Sequence, residues 1–390
     1  MLIGLLGLTA CHHDEPELKK SRRTVILYMM AENGMSQFAS DDIREIIKGA
    51  GDIPLDCNFV VYLDKTSLPQ CFTYGAQTGE SLWKTYPEHD SCDSTTFRNT
   101  LADIIKAYPA ESYGLILWSH GSGWIPAPAK ASVKGQHKTI GIDNNLNSPF
   151  LDEGSELEIP ALRGALESLG VEWEYIFFDA CFMQCVEVDY ELRNVCRSVV
   201  ASPAEMPGDG APYHLMMKDF FRQDRPAEHI AETYHEAYKD HYQGGVVISA
   251  SCSSEMDGLA RTMRPFVTRL FANHRQYDMT GVQEYCPFKQ ETRWKPEYLD
   301  LASTMNQLLA SPADYASLMA QLDKAYPVHL YSNFWMSVFY YSGRAYITDP
   351  EHIASVSMFF PHEKYDFKGY NEYLHRYQWY HASGFDQTGW

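Results

Sequence analysis

An α/β fold, with a mainly parallel sheet wrapped by helices and a smaller α+β subdomain at the carboxyl end, is what this chain predicts, and three observations carry the expectation. Two apolar runs, Leu115 to Trp118 and Tyr175 to Phe178, are continuous rather than alternating and too short for helices, the mark of parallel strands covered on both faces. Both stop abruptly, the first at Ser119-His120-Gly121 and the second at Asp179-Ala180-Cys181. Around them, short apolar runs alternate with stretches of helical spacing as far as about Pro265, the order of strand–helix–strand units. Beyond that point the alternation is lost, and 326–341 and 365–380 are crowded with Tyr, Trp and Phe.

Taken in order, Thr24 to Met30 reads as the first strand and Asp41 to Ala50 as a helix. Asn58 to Leu63 is the second strand, and Cys71 to Tyr86 is hairpin-like. Phe97, Leu101, Ile104, Ile105 and Tyr108 make one apolar stripe, a helix stopped by Pro109. The strand ending at Trp118 leads into a polar loop rich in Gly, Pro and Lys, Ile125 to Gly141. Ile159, Leu162, Leu166 and Leu169 then mark a helix that Gly170 closes. After the strand at Tyr175, Cys185, Val188, Leu192 and Val195 recur at helical spacing. Ser198 to Ser202 is a further strand, and Gly245 to Ser251 is the last expected in the main sheet. The organisation predicted is a leader and tether over 1–23, an α/β domain over 24–265 and a carboxyl-terminal subdomain over 266–390.

Chemistry concentrates where the two continuous strands end. Open α/β sheets place reactive groups at the carboxyl ends of their strands, and here one strand delivers Cys181 and the other His120. If the strands are neighbours, the two side chains face each other, and a thiol needs an imidazole nearby to be a competent thiolate near neutral pH. Gly121 has no side chain to obstruct its backbone N–H, so with the Cys181 N–H it offers two donors to a developing oxyanion.

The motifs S-H-G-S-G-W around His120 and F-D-A-C-F-M around Cys181 resemble the catalytic signatures of clostripain-type cysteine peptidases, relatives of caspases, legumain and gingipains. V-I-L-Y-M-M-A-E-N-G at 25–34, A-S-P-A-E-M-P-G-D-G at 201–210, S-M-F-F-P at 357–361 and T-G-W at 388–390 match in the same order, so the resemblance covers nearly all of the chain after the leader. It implies a caspase-like α/β/α sandwich and an endopeptidase in which Cys181 is the nucleophile and His120 the acid/base. No third triad carboxylate is strictly required in that family, and some of its members need calcium; no other cofactor is expected. Asp179, two residues before the nucleophile, and Asp209, in the loop where the family builds a pocket wall, would together favour a long basic side chain before the cut. The alternative is that Asp179 caps the following helix and Asp209 is a turn residue. Clostripain-like enzymes often cut themselves between His and Cys, and Lys130, Lys134 and Lys138 lie in a segment, 127–138, almost without apolar residues to pin it down. Lys130, followed by the small Ala131, is the preferred site.

At the amino terminus, Met1 to Ala10 is apolar but about half the roughly 20 residues a membrane span needs. Leu8-Thr9-Ala10-Cys11 resembles a bacterial lipoprotein box, which implies export, lipidation at Cys11 and attachment to the outer membrane or cell surface of a bacterium. Asp14 and Glu15 resemble the surface-export signals of Bacteroidetes lipoproteins.

A net charge of −19 over 390 residues argues against nucleic acid or anionic lipid as partners and suits cationic substrates. The expected partners are protein or peptide substrates, with membrane contact only through the lipid at Cys11, and the chain is expected to be a monomer. Nine cysteines without a C-x-x-C or regular spacing make neither a disulfide framework nor a thiolate metal site. There is no H-E-x-x-H, and His229, His235 and His241, spaced by six, scatter around a helix, so no metal ligand set is read. The rival reading from another class is an aromatic-rich surface lipoprotein that captures glycan or peptide, with Cys181 merely buried.

Overall fold

The computed structural model describes residues 19–125, 139–145, 154–241, 244–286, 298–338 and 343–390. The chain runs from β1 (Ser21–Met30) through α1 (Ser36–Gly49), β2 (Cys57–Asp64) and the hairpin of β3 (Gln70–Gly75) and β4 (Gly79–Thr85) to α2 (Ser94–Ala107) and β5 (Ala110–Trp118). A short pair, β6 (Ile140–Asp143) and β7 (Ser155–Leu157), precedes α3 (Ile159–Glu167), β8 (Trp173–Asp179), α4 (Val186–Leu192) and β9 (Val199–Ala201). There follow α5 (Tyr213–Met216), α6 (Pro226–Tyr238), β10 (Val247–Ala250), α7 (Met256–Leu270), β11 (Leu299–Asp300), α8 (Leu301–Leu308), α9 (Pro312–Ala325) and β12 (Val328–Tyr331).

Among the described residues, nine strands form one sheet in the order β12-β10-β9-β8-β5-β1-β2-β3-β4. Its middle, β9-β8-β5-β1-β2, is parallel, and both margins are antiparallel. The continuous apolar runs are explained by burial on two faces: Ile176 and Phe178 point into the layer containing Leu101 of α2, Leu162 of α3 and Val188 of α4. Tyr175 and Phe177 point into the opposite layer, with Ile46 of α1, Met216 of α5 and Ile230 of α6. The result is the α/β/α sandwich expected from the sequence.

The helix signals hold where capping chemistry is explicit. Asp93 accepts from the N–H groups of Thr95 and Thr96 and starts α2, and Gly170, at φ +62°, supplies the left-handed residue just beyond α3. Two features depart from expectation. β6 and β7 form a small antiparallel pair where a loop is expected through Gly141; four residues interrupted by a glycine carry too little pattern to be read as a strand. The main sheet also extends one strand beyond β10, because β12 lies antiparallel along it.

Among the described residues, the most enclosed aromatics of the carboxyl-terminal part are packing core. Tyr326, Trp335, Tyr377 and Trp379 are each at most 1% exposed, so these rings make no open glycan-binding face. Tyr326 and Trp379 cover α4, which is buried along its whole length. Three acids on α4 receive the later chain: Glu187 accepts from the Phe359 N–H (2.8 Å), Asp189 from the Tyr326 hydroxyl (2.7 Å), and Glu191 from the Gln378 N–H (3.0 Å). Glu191 also pairs with Arg163 of α3 at 2.9 Å. The helix that follows Cys181 is thereby clamped from outside the sheet.

Candidate active site

Because β5 and β8 are paired in parallel with Trp118 opposite Asp179, His120 and Cys181 each emerge two residues beyond the same rung of the sheet. The loops touch directly. A Cβ placed on Gly121 would lie 2.6 Å from the Cys181 carbonyl oxygen and 3.1 Å from the Ala180 Cβ, so only glycine lets the backbones approach this closely. On its other side the histidine loop is tied to β6: Gly141 donates to the His120 carbonyl (2.9 Å) and Ser122 to the Thr139 carbonyl (3.1 Å), flanking a bridge between Gly121 and Ile140. Gly121 is the non-hydrogen-bonded member of that bridge, so its own N–H is directed away from β6.

The thiol sits half-buried in a turn that is held from several sides. The Met206 N–H donates to Cys181 Sγ at 3.3 Å. Phe182 adopts φ +63°, an uncommon conformation for a bulky residue, and its N–H is taken by the Ala204 carbonyl at 2.9 Å. Its ring stacks on Tyr298 with centroids 4.7 Å apart, and the Tyr298 hydroxyl donates to the Ser122 carbonyl, linking the cysteine turn to the histidine loop. Cys185, by contrast, is fully enclosed, and burial pushes its thiol well above the ordinary range. It is a packing residue and not a redox partner for Cys181.

The two predicted pocket carboxylates have different surroundings. Asp179 is 5% exposed and accepts from the Tyr213 hydroxyl (2.8 Å) and the Ala211 N–H (3.2 Å). It therefore does not cap α4, whose amino end is Cys185 without a side-chain cap. Asp209 is exposed and lines a cleft of about 430 Å³ together with Phe38, Asp41, Arg44, Glu45 and Lys48 of α1. None of His120, Cys181 or Asp179 lines that cleft. What joins the three parts is one loop, 202–211, which supplies Met206 to the thiol, Asp209 to the cleft and Ala211 to Asp179.

Beneath this loop lies Asp42, a residue the sequence left as one more polar position on α1. Its carboxylate accepts from the Trp118 indole at 2.7 Å, and a Cβ on Gly210 would be 2.5 Å from it, so Gly210, at φ +75°, packs directly over it. Burial, and then the proximity of Asp179, push the Asp42 carboxyl well above the ordinary carboxylate range; Asp179 is raised too, chiefly by burial. Nothing in the local sequence S-D-D-I-R distinguishes Asp42 from its exposed neighbour Asp41. Lys130, Lys134, Lys138 and Cys11 lie outside the described residues.

A parallel sheet enclosed by helices on both faces, with a thiol and an imidazole at the ends of adjacent strands, defines a peptidase of the caspase-like class. The comparisons agree. A secreted C11 cysteine protease from Bacteroides thetaiotaomicron, solved with an irreversible peptide inhibitor, is 29% identical with a TM-score of 0.79 over 94% of this chain and 99% of that one. An inactive zymogen C11 protease from Parabacteroides distasonis is 25% identical with a TM-score of 0.77 over the same shares. A B. fragilis cysteine protease is 28% identical with a TM-score of 0.55, over 60% of this chain and 96% of its own. No curated protein is matched. The clostripain family model matches residues 27–390, and the chain belongs to that family of cysteine-type peptidases. Among the described residues no helix is long and apolar enough to cross a membrane.

Proposed function

We propose that the chain is an endopeptidase cutting after Arg or Lys, with a Cys181/His120 dyad. The Cys181 thiolate adds to the scissile carbonyl carbon, and the oxyanion that forms is met by the N–H groups of Gly121 and Cys181, a type of contact worth about 10²–10³ in kcat in other acyl-transfer enzymes. His120 gives its proton to the leaving amine, and then takes one from the water that hydrolyses the thioester. The observation that supports this reading most is the shared register of β5 and β8 together with the glycine-only approach of Gly121 to Cys181. A basic side chain is received by Asp209 at the surface, while Asp179 beneath the 209–211 backbone adds negative charge and holds that backbone through Ala211.

The test has two arms. A peptidyl acyloxymethyl ketone ending in Arg is expected to modify Cys181 alone, and both Cys181→Ala and His120→Ala should abolish the reaction; an unlabelled, folded wild-type chain removes the catalytic reading. A substrate panel varying only the residue before the cut should favour Arg or Lys, with the preference reduced at least tenfold in Asp209→Ala or Asp179→Ala. Equal cleavage after neutral residues leaves the cysteine peptidase standing without its basic specificity.

Self-cleavage follows from the same specificity. A member of the family has been solved as an inactive zymogen, and Lys130, Lys134 and Lys138 lie between the histidine and the cysteine. Cutting is expected after Lys130 before the others. Intact-mass analysis of wild-type and Cys181→Ala chains should show two fragments only in the former, and a single uncut chain with full activity disproves it. Export with lipidation at Cys11 fits the secreted relative from Bacteroides thetaiotaomicron, and Cys11→Ala should release the protein from the membrane fraction.

A further inference from the structure

Exposed apolar side chains gather on one hairpin of the carboxyl-terminal part. Its strands, β13 (Phe334–Met336) and β14 (Arg344–Tyr346), are antiparallel, with Phe334 opposite Tyr346 and Met336 opposite Arg344. Strand alternation sorts the side chains into two faces. Trp335, Ser337 and Ala345 are buried, whereas Met336 is 43%, Val338 86% and Tyr346 48% exposed. On the same outer face the Phe334 and Tyr346 rings lie 6.0 Å apart, and the Arg344 guanidinium covers Phe334 at 4.8 Å. Nine large apolar side chains are exposed among the described residues and three of them fall within 336–346, which makes this a patch and not scatter.

The hairpin stands at the catalytic edge of the sheet. β9 is parallel to β8, β10 is antiparallel to β9 and β12 antiparallel to β10, so β12 ends at the edge where Cys181 emerges. β13 begins after two intervening residues and is caught by Gly245, which bridges Trp335 and donates to the Phe334 carbonyl at 3.1 Å. Further along, the Val338 N–H donates to Glu205 Oε1 at 3.0 Å. Glu205 precedes Met206, whose N–H meets Cys181 Sγ at 3.3 Å. Along these links Val338 stands no more than about 14 Å from the thiol, a distance spanned by about four residues of extended peptide.

The side on which the hairpin stands decides what it can touch. His120 follows β5 and protonates the leaving amine, which belongs to the part of the substrate after the cut. β8 has β5 on one flank and β9, then β10, on the other. The part after the cut therefore departs over β5, and the part before it leads away over β9 and β10, toward the hairpin.

We infer that the outer face of this hairpin, through Met336, Val338 and Tyr346, receives apolar side chains of the third and fourth residues before the cut. This role rests on the Cys181/His120 reading given above and adds a second requirement to its basic specificity. Neither β13 nor β14 carries a carboxylate, so the face does not duplicate the acidic surroundings offered to a basic side chain. What it offers is apolar area, and an aliphatic side chain laid on it is removed from water.

The experiment measures kcat/KM on peptides with Ala-Arg directly before the cut and either Leu-Leu or Ser-Ser at the fourth and third positions. Wild type should favour Leu-Leu about tenfold. Val338→Ser and Met336→Gln should each shrink that ratio at least threefold; both positions are exposed, and both variants keep the backbone N–H, so folding is not at stake. Leu55→Ser, which changes an exposed leucine two residues before β2 at the opposite edge of the sheet, should leave the ratio at its wild-type value. Equal cutting of the two peptides, or a ratio that neither hairpin variant moves, overturns the assignment and leaves the peptidase standing. So does a Leu-Leu advantage that depends on the hairpin only when the pair is placed after the cut. If neither peptide is cut and Cys181 is not labelled, the peptidase reading falls, and fluorescence anisotropy of labelled Leu-Leu-Ala-Arg and Ser-Ser-Ala-Arg peptides decides the surface by itself. Tighter binding of the leucine peptide that is lost in Val338→Ser supports the hairpin as its seat, and equal affinities overturn it.

Discussion

At the scale of single residues, the contact that most constrains the site is the one made by the absence of a side chain at Gly121. A methyl group there would fall 2.6 Å from the Cys181 carbonyl oxygen and 2.8 Å from Met183 Sδ. The sulfur can swing aside, but the carbonyl belongs to the backbone of the Cys181 turn. Gly121→Ala should therefore push the two loops apart by several tenths of an ångström, and kcat/KM should fall about 100-fold, the usual consequence of a small misplacement of reacting groups. Tm should fall only slightly, because the loop lies beyond the strand ends and not within the sheet. Steady-state kinetics beside a melting curve checks this, and an unchanged kcat/KM sinks the argument. Cys181, His120 and Gly121 were legible in the sequence because each ends or follows an uninterrupted apolar run. Asp42, Met206 and Tyr298 were not, since they reach the site from α1, from a loop and from beyond 297, and no local pattern announces a long-range contact.

At the scale of elements, legibility followed hydrophobic pattern. β5 and β8 announce themselves because both faces are covered, whereas β6 and β12 are four residues each and take their place through their partners, β7 and the His120 loop for the one and β10 for the other. In α4 the spacing of apolar residues is real, yet the face opposite is no less buried, because Glu187, Asp189 and Glu191 are used to dock the carboxyl-terminal segment. Glu187 shows what this arrangement entails. Burial pushes its carboxyl up to about 7, opposed by hydrogen bonds from the Phe359 N–H and from its own backbone N–H. A carboxyl whose folded value exceeds its unfolded value of about 4.3 stabilises the fold below that value and loses the contribution as pH rises through 7. Glu187→Gln keeps an oxygen for the Phe359 N–H but cannot ionise. Its Tm should match wild type near pH 5 and exceed it by several degrees at pH 8.5, on the order of 3 kcal/mol from the shift. Melting curves across that range decide it, and equal Tm values at pH 8.5 would show that the ionised Glu187 carries no penalty.

At the scale of the whole molecule, a net charge of −19 surrounds a site read as accepting cations, and its acids divide into two populations that salt should separate. Asp209 is exposed at its cleft, and Asp41 and Glu45 stand beside it on α1. Asp179 is enclosed beneath the 209–211 backbone. Ions in solution screen the first group, with a Debye length of about 10 Å at 0.1 M, and barely reach the second. For a peptide with Arg before the cut, kcat/KM should therefore decline roughly threefold to tenfold between about 0.02 and 0.5 M NaCl, calcium held constant, and then level off while still above that of a neutral substrate. The decline belongs to long-range attraction by the exposed acids, so Asp209→Asn should flatten the slope and leave the plateau largely intact. Asp179→Asn should do the reverse, lowering the plateau and sparing the slope. The measurement is kcat/KM for paired Arg and neutral peptides across the salt series in all three proteins. An Arg substrate whose kcat/KM ignores salt, or one that declines in parallel with its neutral counterpart, shows that the acidic surface takes no part in selecting the substrate.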